Sequence, residues 1–112
     1  MAGTVWTSEE VSLLLFLASR DIQPEIIADM LNNRTTTLLS RGAAQAPRRT
    51  TSAVRGKLIW IKARHPEIWL EDGSIDVAMM MEFLYSLPFV DPAELNMLLY
   101  QATMEINLRS TR

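Results

Sequence analysis

The chain has no cysteine, which excludes disulfide staples and thiolate metal sites and suits a reducing compartment. Its one histidine, His65, stands beside Pro66 with no second imidazole in the sequence, too few donors for a metal centre. Only four glycines occur and none form a phosphate-cradling run. No apolar run approaches the ~18 residues of a membrane span, and the N-terminal segment lacks the basic start of a secretory signal. No stretch alternates apolar and polar residues long enough to argue a strand. Serines and threonines have no paired base and the carboxylates are scattered, so no catalytic constellation is present. These absences lead us to expect a soluble intracellular protein of the all-α class that is not an enzyme, with no cofactor, no metal and no small-molecule substrate.

What is present is a strong segregation of charge. At 112 residues and 48% apolar composition the chain can bury the core of one compact unit. Its net charge of −2 conceals three blocks. Residues 1–33 carry Glu9, Glu10, Asp21, Glu25 and Asp29 against Arg20 alone. Residues 34–66 carry Arg34, Arg41, Arg48, Arg49, Arg55, Lys57, Lys62 and Arg64 with no acid at all. Residues 67–112 return to an acidic excess, with Arg109 and Arg112 as their only cations. A middle third without acids suits a polyanionic partner; the alternative is a solvated face balanced by its acidic neighbours.

Capping signals divide the chain into five helices. Thr7 followed by Glu10 makes a capping box, with Trp6 placed to staple onto Val11. The helix that follows is apolar nearly all round, so two of its faces need cover. Pro24 with Glu25 opens a second helix that ends near Asn32-Asn33. A long basic connection at about 34–48 follows, with a helical turn expected around Thr37 to Ser40. Thr50 or Thr51 caps the third helix, which runs to about Arg64 because Pro66 disfavours helix before it. Val54, Leu58, Ile61 and His65 fall on its inward stripe. Ile68 and Trp69 follow as a buried strap. Ser74 is expected to cap a fourth helix, Ile75 to Leu87, stopped by Pro88. Asp91 and Pro92 open a fifth, to about Leu108, with Leu95, Leu98, Leu99, Ala102 and Ile106 on one stripe.

Three motifs carry a resemblance. Trp6-Thr7-Ser8-Glu9-Glu10, Ile26-Ile27-Ala28-Asp29-Met30-Leu31 and Arg49-Thr50-Thr51-Ser52-Ala53-Val54-Arg55 occur in the order of a Myb/SANT-like, homeodomain-like helix-turn-helix, which residues 5–64 resemble. The resemblance places the family's core tryptophans at Trp6, Pro24 and Leu58. It implies a three-helix helix-turn-helix over 1–66 and leaves 67–112 as an acidic, Met-rich two-helix extension. It places the DNA-reading positions at Ser52, Arg55, Gly56 and Ile59. Arg55 suits bidentate contact with guanine, Ile59 offers an apolar contact to a thymine methyl, and Gly56 offers no side chain.

The implied function is a DNA-binding module of a transcriptional or chromatin regulator, nuclear in a eukaryote and cytoplasmic otherwise. In this reading the third helix enters the major groove of double-stranded DNA, with Arg48, Arg49, Lys57 and Lys62 near phosphates. The alternative is a SANT-type protein-interaction module with a histone or chromatin-complex partner. There the Met-rich helices at 75–87 and 92–108 form a homodimer or partner surface, rather than a private cover for the first helix.

Overall fold

The computed structural model describes residues 6–33, 49–87 and 91–110. Among these the chain is all-helical: α1 (Ser8–Ser19), α2 (Pro24–Asn33), α3 (Thr51–Arg64), α4 (Val77–Tyr85) and α5 (Pro92–Ser110), with one 3-10 turn at Pro66–Ile68. The long connection at 34–48, its expected turn at Thr37–Ser40 and the Pro88 stop lie outside the described residues.

The caps are made by the residues whose chemistry demands it. At the start of α1 the Thr7 hydroxyl accepts from the Glu10 amide at 3.1 Å, and Glu10 Oε1 accepts from the Thr7 amide at 3.0 Å. Two amides that the helix leaves without partners are thus satisfied reciprocally. At its other end the Ile22 amide donates to the Leu17 carbonyl and the Asp21 amide to that of Ala18. Asp21 closes this turn at φ 61°, a left-handed position that aspartate tolerates better than most side chains. Thr50 caps α3 by accepting from Ala53, and Asp91 accepts from Ala93 at the start of α5.

The hub is α1. Leu13, Leu14, Leu15 and Leu17 are completely buried, and nearly consecutive positions can all be buried only if neighbours surround the helix. Accordingly α2, α4 and α5 all pack against α1, and α3 touches it more lightly while packing mainly on α2. Leu95, Leu98, Leu99 and Ala102 of α5 and Met80 and Leu84 of α4 share one core with Ile27, Met30 and Leu31 of α2 and Val54 and Ile61 of α3. Each fully buried leucine contributes about 2 kcal/mol of transfer free energy, so the leucines of α1 are the largest single contribution from any helix. Inside this core the Ser12 hydroxyl is buried and has no hydrogen-bond partner among the described residues.

The expected start of the fourth helix needs correction. Ser74 does not cap it: its amide and hydroxyl both donate to Asp72 Oδ1, at 2.9 and 2.6 Å. The Asp76 carboxylate caps instead, accepting from Met79, and α4 begins at Val77. The physical reason is a small hairpin. Trp69 bridges antiparallel to Ile75, the Asp76 amide donates to the Ile68 carbonyl, and Gly73 turns the chain at φ +90°. Ile75 is held extended in that bridge and is not available to a helix. Of the expected strap, Ile68 is fully buried and Trp69 only partly so.

Candidate nucleic-acid interface

Arg49, which the sequence places near phosphates, lies in the interior at 7% exposure. Its guanidinium grips Glu10 with both prongs: Nε donates to Oε2 and Nη2 to Oε1, each at 2.9 Å. The same guanidinium lies 4.3 Å from the centre of the Trp6 ring. Asn32, at the end of α2, clamps the Arg49 backbone, accepting from its amide at 2.7 Å and donating to its carbonyl at 2.9 Å. Arg49 is therefore corrected from surface contact to interior anchor. The reason is electrostatic: the buried Glu10 carboxylate needs a paired cation, and a planar fork matches its two oxygens. This anchor fixes the point where the chain enters α3.

With its entry fixed, α3 turns Val54 and Ile61 wholly inward and packs Leu58 partly against the core. His65 follows at the end of that stripe, its ring 4.6 Å from Phe83. Ser52, Arg55, Gly56, Ile59, Lys62 and Ala63 are exposed, Ile59 at 69%. Lys57 is half-buried, and Arg48 lies outside the described residues. At 3.6 residues per turn, Arg55 and Lys62 lie on one edge of this outward face and Lys57 and Arg64 on the other, with Ser52, Gly56, Ile59 and Ala63 between them. The helix contains four cations and no acid. Neutral, mostly small residues thus occupy the leading face, and positive charge flanks it on both sides.

The two edges differ in their surroundings. On the Lys62 side an open cleft is lined by Leu58, Ile59 and Lys62 of α3, by Ala18 and Asp21 at the end of α1, and by Trp69, Gly73, Ser74 and Ile75 of the hairpin. Asp21 brings negative charge to it, and within the hairpin the Ser74 hydroxyl and amide hold the Asp72 carboxyl below its ordinary range. Among the described residues neither Lys57 nor Arg64, on the opposite edge, forms an ion pair with a carboxylate. Burial, with Arg49 and Arg64 nearby, holds the Lys57 ammonium below the usual lysine range. The Lys57 Nζ lies 3.9 Å and the Arg64 guanidinium 4.3 Å from the centre of the Trp60 ring, which is 48% exposed.

Sequence reasoning did not include Trp60 or Arg64 among the site residues. The signal was available: Lys57 and Arg64 stand three before and four after Trp60, spacings that meet on one helix face. Among the described residues no group of three or more histidines or carboxylates converges on a possible metal position, and no helix is long and apolar enough to cross a membrane. Comparison with family models, curated proteins and solved structures gives no match to this chain.

Proposed function

We propose that this chain is a DNA-binding module in which α1, α2 and α3 act as a homeodomain-like helix-turn-helix and α3 enters the major groove of duplex DNA. One observation carries the reading: an exposed helix, free of acids, with uncharged residues at its leading face and cations along both edges. Such a helix suits a groove whose floor carries bases and whose rims carry phosphates. In this reading Ser52, Arg55 and Ile59 face base edges, Gly56 permits close backbone approach, and Lys57 and Lys62 meet the phosphates. Arg49 supports them from the interior. The test is a fluorescence-anisotropy titration of a labelled duplex at several salt concentrations. Binding should weaken steeply with salt as counterions are recaptured, and Arg55→Ala with Lys62→Ala should lower affinity about tenfold or more, from a phosphate and a base contact each worth roughly 1 kcal/mol. Affinity indifferent to both changes sinks the reading.

A second reading has its own observation. Met97, Tyr100, Met104 and Leu108 are exposed along one side of α5, at spacings that align on a helix. Ala93, Asn96 and Asn107 share that outer side, which therefore carries no charge at its centre. Under this reading the C-terminal helices form a protein-interaction surface, and its occupant is a second copy of this chain. An uncharged apolar stripe is complementary to itself under a twofold axis and selects no charged partner. A dimer is compatible with the first reading, since it would present two α3 helices to one duplex.

A further inference from the structure

We propose that Lys57, Trp60 and Arg64 form a preorganised clamp for one phosphodiester group of duplex DNA, the indole holding two cations in place for a single backbone phosphate. The inference rests on the DNA-binding reading above and assigns one edge of α3 a role of its own.

Two positive groups are drawn to one aromatic ring, at 3.9 and 4.3 Å from its centroid. They therefore lie no further apart than the sum of those distances. Among the described residues neither forms an ion pair with a carboxylate, whereas Arg49 and Arg109 do. Like charges gathered without a counter-ion are costly unless an anion completes the set, and a phosphodiester offers two unshared oxygens to a fork and an ammonium at once.

Trp60 holds in place two side chains that would otherwise swing freely in solvent. The spacing across α3 favours a duplex over an acidic peptide. Arg55 and Lys62 lie roughly half a turn around the helix from Lys57 and Arg64, so the two edges stand about 10–12 Å apart, the diameter of a helix with its side chains. A major groove about 12 Å wide presents two phosphate rows at matching separation. An acidic peptide presents only one.

The test follows the Trp60 indole N–H resonance of the isotopically labelled full chain, alongside salt-dependent anisotropy. Addition of a duplex should move that resonance, and Lys57→Gln with Arg64→Gln should flatten the slope of log affinity against log salt by about one unit, the loss of one phosphate contact. Trp60→Leu should weaken binding about threefold while leaving the slope unchanged, because the charges remain but are no longer held. Unchanged amide spectra outside α3 would establish that the variants fold. If the duplex binds, Arg55→Ala with Lys62→Ala weakens it, and the Lys57 and Arg64 variant keeps the full slope, the clamp is wrong and the groove reading stands without its Lys57 phosphate contact. If no duplex binds at low salt, both fail. Saturation of the Trp60 shift by inorganic phosphate below the duplex concentration would identify a free-anion site, and saturation by poly-glutamate alone an acidic protein; either result overturns the clamp.

Discussion

Arg49 and Ser12 set the residue scale, because each places a polar group where the core would otherwise be apolar. The Arg49 guanidinium and the Glu10 carboxylate are almost wholly buried and joined by two hydrogen bonds. Removing one partner leaves the other charged and desolvated, so Arg49→Met should destabilise the fold by about 3–5 kcal/mol. Glu10→Leu combined with Arg49→Met should recover part of that loss, since an apolar pair of similar volume carries no desolvation cost but leaves the Thr7 amide without its Glu10 partner, about 1 kcal/mol. Chemical denaturation of the two single variants and the double variant checks the cycle, and additive losses would contradict the assignment. Ser12 is the opposite case, a buried hydroxyl without a partner among the described residues. Ser12→Ala should raise stability by about 1 kcal/mol, read as a higher denaturation midpoint at constant slope.

At the scale of the element, α3 sets stability and binding against each other at Gly56. A methyl group there would meet nothing within 4 Å, so Gly56→Ala should stabilise the helix by about 1 kcal/mol. If the glycine serves close approach to a duplex, the same substitution should weaken binding severalfold in a titration, a split that a merely structural glycine would not produce. Helix starts were legible in the sequence where a cap acts on its own helix: Thr7 with Glu10, Thr50, and Asp91 before Pro92 all carry their signal within three residues. The start of α4 was not. Ser74 and Asp76 are both competent caps two residues apart, and the choice falls to a bridge between Trp69 and Ile75 that no local pattern announces. The site is legible in the same uneven way. The basic, acid-free character of α3 is visible as composition, but Arg49 reads as a surface cation until Glu10, distant in sequence, is found against it. The meeting of Lys57 and Arg64 at Trp60 was legible in their spacing, three before and four after, once the inward stripe of Val54 and Ile61 fixes which way the helix faces.

For the molecule as a whole, the question is what α5 does with its outer side. Its inner stripe closes the core around α1, and Arg109 ties it to α2 by donating to Asp29 at 2.7 Å and to its own Glu105 at 3.0 Å. The outer stripe of Met97, Tyr100, Met104 and Leu108 adds nothing to that core. Sedimentation equilibrium should therefore find a dimer at high protein concentration, and Met97→Lys with Met104→Lys should convert it to monomer by burying unpaired charges. A monomer at every concentration contradicts the dimer reading and leaves the DNA reading untouched. Acidic flanks on either side of a basic middle third concentrate the favourable field on residues 34–66, to which α3 belongs. The most direct test of that claim is a map of backbone amide shifts as unlabelled duplex is added to the isotopically labelled chain at low salt. Ser52, Arg55, Gly56, Ile59 and Lys62 should move together while Met97, Tyr100, Met104 and Leu108 stay still; shifts confined to α5, or none at saturating duplex, would overturn DNA binding through α3.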